Sequence, residues 1–81
     1  MLPVVVAVPC TTYRPGRRIY PTHVLVRKTD GGLDMDSVVL TEQVRVLSKG
    51  RLRWLRGTLA TGTMAQIDQA LLIALDLPGQ L

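Results

Sequence analysis

The most uniform stretch of the chain lies at its start, where Pro3 to Cys10 is rich in valine and runs into a basic segment containing proline and glycine. A short apolar run bounded by turn residues predicts a buried strand at the centre of a sheet. Tyr13 to Arg18, YRPGRR, predicts an exposed loop that turns at Pro15 and Gly16. From Tyr20 to Arg27 the pattern becomes alternation, with Thr22, Val24 and Val26 on one face and His23, Leu25 and Arg27 on the other. That predicts a strand with a drier and a wetter side, beginning near Pro21.

Asp30, Gly31 and Gly32 predict a turn, and Ser37 to Leu40 and Gln43 to Leu47 predict two more short strands. Ser48 suits the cap of a single helical turn reaching Leu52, and Trp54 to Leu59 reads as a brief strand ending near Gly57. The closing element is a helix, because Met64, Ile67, Leu71 and Ala74 or Leu75 recur at helical spacing. Thr63 and Gln66 form a capping-box pattern that starts it, and Pro78 and Gly79 stop it. The expected class is α+β, mainly β, in a single domain over residues 1–81. Leu72, Ile73 and Leu77 fall off the main stripe, which makes Leu71, Leu72 and Leu75 candidates for a dimer interface.

Size and charge narrow this picture. A chain of 81 residues buries only roughly 60% of its unfolded surface, so its stability should be marginal. No apolar run approaches the roughly 20 residues of a membrane span, and the apolar start lacks the basic residues of a signal peptide. The single Cys10 forms no internal disulfide, as expected in a reducing cytoplasm, and reads as a small residue at a strand end. Net charge is +4 and unevenly placed: Arg14, Arg17, Arg18, Arg27 and Lys28 precede the first acid, Asp30. A polyanion would meet the N-terminal portion first.

One His and one Cys cannot build a zinc site, no glycine loop cradles phosphate, and no Ser/His/Asp set is evident, so neither metal nor cofactor is expected. One constellation stands out, because Thr11 and Thr12 end the apolar strand and Tyr13, Arg14, Arg17 and Arg18 follow at once. Hydroxyls and guanidinium groups can grip a phosphate and an aromatic ring can stack on an unpaired base, although a polar turn after a core strand would look the same. Glu42 and Gln43 interrupt two apolar runs; Gln43 could read a base edge, or the pair could simply mark a kink. His23, the only imidazole, is a tempting general base but is expected to be an inert, solvent-facing residue in mid-strand.

Four segments in order, VVAVPCTT (Val5 to Thr12), YPTHVLV (Tyr20 to Val26), DSVVLTEQVRVLSKGRL (Asp36 to Leu52) and GTLATGTMAQIDQALLIALDL (Gly57 to Leu77), resemble the MazF/PemK (mRNA interferase) toxins. The resemblance implies a small SH3-like, CcdB/PemK-like barrel with a C-terminal helix that dimerises. It implies metal-independent cleavage of single-stranded RNA at short sequences, and inhibition by an acidic antitoxin. It places Thr11 at the active-site threonine and Gln43 at a base-contacting position, and it lays the loop of Tyr13 to Arg18, with Thr12 before it, beside the RNA groove. Family members carry about a further third of chain ahead of the VPCTT strand, including an Arg-Pro loop and a Glu that serve proton transfer. The expectation is thus a barrel incomplete at its N-terminus, in which Arg14-Pro15 is no substitute because it follows Thr11. A toxin-fold module that binds antitoxin, RNA or itself without cutting is the alternative.

Overall fold

The computed structural model describes residues 3–52 and 55–76. It holds five strands, β1 (Val4–Ala7), β2 (Cys10–Thr12), β3 (His23–Val26), β4 (Ser37–Leu40) and β5 (Arg45–Ser48), and one helix, α1 (Thr61–Ala74). They form two antiparallel sheets, a β1-β5 ribbon and a three-stranded sheet ordered β2-β4-β3.

The single central strand expected from Pro3 to Cys10 is corrected on both counts. It is split between the two sheets, with β1 pairing Val4 to Ser48 through Ala7 to Arg45 and β2 pairing Cys10 to Val39 through Thr12 to Ser37. Pro9 sits at the break, where it offers no N–H to a ladder, while its carbonyl accepts the Leu40 N–H at 2.9 Å. The middle strand of the larger sheet is β4, whose four residues are all buried.

β3 follows the alternation, since Val24 and Val26 are buried and lie on the face covered by α1. There Val24, Val26 and Val39 pack against Ile67 and Ala70, with Val8, Leu33, Leu59 and Leu71 around them. Removing side chains of this size from water contributes roughly 1.5–3 kcal/mol each, as an upper limit.

Tyr13 to Arg18 is an exposed turn, in which the Arg17 N–H donates to the Arg14 carbonyl at 3.0 Å. Pro15 presets the first central dihedral and Gly16, at φ +88°, supplies the positive φ of the second, the requirement of a type II turn. Thr41–Gln43 is a 3-10 turn, so Gln43 does not begin a strand as expected; β5 starts at Arg45. Ser48 caps the short turn Lys49–Arg51 by accepting the Gly50 N–H at 3.3 Å.

The expected strand from Trp54 to Leu59 is not formed over residues 55–59, and Trp54 lies outside the described residues. Backbone contact fixes this segment instead. A Cβ on Gly32, which has φ +76°, would overlap the Arg56 carbonyl, and one on Gly57 would lie 2.8 Å from the Gly31 carbonyl carbon.

The helix begins two residues before the expected Thr63, and Ala60 at its N-cap offers no side-chain acceptor. Asp30 supplies the cap from a distance. Its Oδ1 accepts the Ala60 N–H at 2.8 Å and its Oδ2 accepts the Thr63 hydroxyl at 2.5 Å. Thr63 therefore serves a tertiary bond and not the local capping box. At the other end Asp76 adopts φ +56° and donates its N–H to the Ile73 carbonyl, so helical geometry stops before Pro78 and Gly79, which lie outside the described residues. Among the described residues no helix is long and apolar enough to cross a membrane.

Candidate functional site

Strand register sorts the candidate residues by face. Thr11 pairs with Val38, which pairs with Leu25, while Leu40 pairs with His23 two positions along β4. Paired residues share a face and successive residues alternate, so Thr11, Val38, Leu25, Leu40 and His23 occupy one side of the sheet. Strand spacing puts Thr11 and His23 roughly 12 Å apart on it. Thr12 falls on the opposite side, in the row of Ser37 and Val26, and does not share a surface with Thr11.

A cleft of about 460 Å³ opens at the His23 end, lined by Arg17, Tyr20, Thr22, His23, Glu42 and Gln43 among others. Tyr20 is half exposed, with the Arg18 guanidinium carbon 5.8 Å from its ring centroid, within cation–π range. Arg17 and Gln43 are exposed at the rim. Arg14 lies exposed in the turn, and Tyr13 lines a separate shallow hollow with Lys28, Asp34, Met35 and Asp36. The structure thus gathers Arg17 and Gln43 at one cleft, with Arg18 against its Tyr20 ring, and leaves Arg14, Tyr13 and Thr12 elsewhere.

His23 is not the solvent-facing residue expected of it. Its side chain is only 6% exposed. The Tyr20 N–H donates to Nδ1 at 3.3 Å, and Nε2 lies 3.2 Å from Glu42 Oε2. Because Nδ1 accepts, the proton belongs on Nε2, where it bonds the carboxylate; this tautomer follows from the hydrogen-bond pattern. The Tyr20 ring meets the imidazole edge-on at 5.2 Å. Thr22 completes the group by donating its hydroxyl to Glu42 Oε1 at 3.0 Å.

Burial pushes the Glu42 carboxyl up, but hydrogen bonds from its own backbone N–H, His23 and Thr22 outweigh it and hold the group below the usual range. Glu42 is therefore ionised at neutral pH, with a bond on each oxygen. Beneath it Thr41 is fully buried, and both its N–H and its hydroxyl donate to the Thr22 carbonyl, at 3.1 and 2.6 Å. The sequence reading passed over Thr22 and took His23 as inert, because their partners are about twenty residues away. A strand register pairing His23 with Leu40 would have placed Glu42 beside them.

Among the described residues no three His, Cys, Asp or Glu side chains converge as a metal site would require. Of the expected dimer-interface residues, Leu71 packs against the chain's own core and Leu72 is half-buried, while Leu75 is exposed together with Ile73 and Met64.

Residues 1–75 match the family of PemK-like, MazF-like toxins of type II toxin-antitoxin systems. The chain belongs to this family. Among solved structures it is similar to an endoribonuclease from a mycobacterial species, at 34% identity and a TM-score of 0.80 over 95% of this chain and 68% of that one. A structure titled as an endoribonuclease in complex with its cognate antitoxin, also mycobacterial, matches at 34% identity and 0.80, covering 95% and 69%. The Mycobacterium tuberculosis toxin MazF-mt6 matches at 27% and 0.81, covering 95% and 74%. This MazF/PemK-like chain therefore has the expected class, a mainly β fold closed by one helix.

Proposed function

We propose that the chain is the toxin of a type II toxin-antitoxin pair, a cytoplasmic, metal-independent endoribonuclease that cleaves single-stranded RNA. Membership of the MazF/PemK-like family over residues 1–75 carries this reading. The exposed arginines and the Tyr20 ring suit a flexible polyanion with unstacked bases. Residues 1–81 act as one toxin domain. A second copy covers Leu75 and Ile73, and an acidic antitoxin segment competes for the same basic surface as RNA.

In such cleavage the 2′-hydroxyl oxygen attacks the adjacent phosphorus and loses its proton to a base. The bond from phosphorus to the 5′-oxygen breaks, an acid protonates that oxygen, and a 2′,3′-cyclic phosphate and a 5′-hydroxyl remain. Thr11 donates its hydroxyl to a phosphoryl oxygen whose charge grows in the transition state. Arg17 and Arg18 hold the flanking backbone, Tyr20 offers a stacking surface, and Gln43 reads a base edge.

One observation favours a second reading, a module that binds RNA or antitoxin without cutting. On the Thr11 row the neighbours are Val38 and Leu25, and the ionisable pair on that face, His23 and Glu42, is already bonded to itself.

Incubation of the 81-residue chain with long single-stranded RNA in EDTA, beside Thr11→Ala, separates the two. Specific fragments ending in 2′,3′-cyclic phosphates, slowed roughly 10²-fold or more by the substitution, are expected. Intact RNA from a folded parent would leave the binding module.

A further inference from the structure

We infer that His23 is a positioning residue for base selection, whose neutral ring ties the turn ending the basic loop to the turn carrying Gln43. The inference rests on the ribonuclease reading of the same cleft. Tyr20 belongs to the loop side, with Arg17 and Arg18 just before it, and Gln43 follows Glu42 directly. The imidazole spans the gap between them, since Nδ1 takes the Tyr20 N–H while Nε2 bonds Glu42. Glu42 is pinned from both sides, and Thr41 is pinned to the Thr22 carbonyl, so the turn bearing Gln43 has little freedom while the bridge holds. Tyr20 and Gln43 then line one cleft at a fixed separation.

The bridge depends on the ring being neutral. A proton on Nδ1 would set two N–H groups against each other at Tyr20 and remove that bond, while the bond to Glu42 would survive and strengthen. The charged groups sharing the cleft with the ring are Glu42, from the 3-10 turn, and Arg17, from the loop. From α1 the facing side chains are Ala65, Gln66, Gln69, Ala70 and Ile73, all uncharged, and the sheet contributes uncharged Val24 and Leu40. A ring protonated on both nitrogens would therefore drop its own hold on Tyr20, leaving the bond from the His23 N–H to the Tyr20 carbonyl at 2.8 Å, and would keep the Gln43 half in place.

Mapping fragment ends from a random-sequence RNA pool tests this with His23→Gln and His23→Ala. Glutamine keeps one donor and one acceptor. The parent and the Gln variant are expected to share one cleavage sequence. The Ala variant should cut several-fold more sequence contexts. An Ala variant that cuts the parent's sites with the parent's selectivity would overturn the inference. His23 is the only histidine, so its ring titration is also read directly by NMR. Tyr20 and Gln43 amides that move with the ring support the bridge, and a Gln43 amide indifferent to it sinks the bridge whether or not RNA is cut. Intact RNA would count against the ribonuclease reading alone.

Discussion

β1, VVVA, and β4, SVVL, are nearly alike in composition, yet every residue of β4 is buried while Val4 and Val6 are exposed, Val6 by 72%. The difference is one of partners. β4 has a strand on each side, with α1 over one face of its sheet, whereas β1 pairs with β5 alone and Val46 opposite it is 63% exposed. Among the described residues the three-stranded sheet with its helix holds the buried apolar side chains, and it is also where Thr11 and His23 are displayed. The function proposed here thus sits on the stable half, and the ribbon is the adaptable half.

Four substitutions would break or sharpen that contrast. The largest effect is expected at Val38→Asp, because Val38 is 0% exposed and an unpaired buried carboxylate costs several kcal/mol, comparable with the whole stability of so small a domain. Loss of the folded state in circular dichroism would confirm it, and a native spectrum would show that the sheet tolerates water. Gly32→Ala comes next at about 3 kcal/mol, through overlap with the Arg56 carbonyl and a disfavoured positive φ. Its urea midpoint should fall without loss of the sheet signal.

A smaller effect falls on the acid limb of stability. Hydrogen bonds from Thr63 and then Ala60 hold the Asp30 carboxyl below its usual range, against a lesser push from burial. Its contribution is therefore complete above the ordinary carboxylate range and is lost as pH falls through the depressed folded value. Asp30→Asn should lower the melting temperature at neutral pH and flatten its decline below about pH 4. A decline as steep as the parent's would shift that role to Asp36, held low by the Lys28 N–H first, or to Glu42. The least effect, within about 0.5 kcal/mol, is expected for Val46→Thr on the exposed ribbon. A larger loss would mean that a second chain covers the face.

Period and spacing made β3, β4 and part of the core stripe of α1 legible: Val24, Val26, Ile67 and Leu71 pack in the core as alternation and helical repeat require, whereas Met64 and Leu75 of the expected stripe are exposed and Ala70, outside it, is buried. Valine content announced β1 but not its place at the outside, since burial depends on what stacks above a strand and not on the strand itself. Thr63 looked like a local cap and proved to be bound to Asp30, 33 residues earlier. His23 was misplaced for the same reason, as a carboxylate 19 residues away turns an apparently wet position into a nearly enclosed one. Of the candidate site, Thr11, Arg17, Arg18 and Gln43 could be proposed from the chain itself, whereas the bonds joining Thr22, His23 and Glu42 required the sheet to be assembled.

Asp30 as the cap of a distant helix has a kinetic consequence. α1 has no acidic residue in its first turn and no cap of its own, and at 14 residues it is near the length at which isolated helices are marginal in water. Its first turn is fastened only when a loop of about thirty residues closes, a step whose entropy must be met before the bond can form. The helix is thus a late arrival, expected to show low φ-values at its N-terminal end. Until it docks, a newly made chain carries the Val24 and Val39 face uncovered, and anything that delays the Asp30 turn prolongs the interval in which neighbouring chains can stick to it.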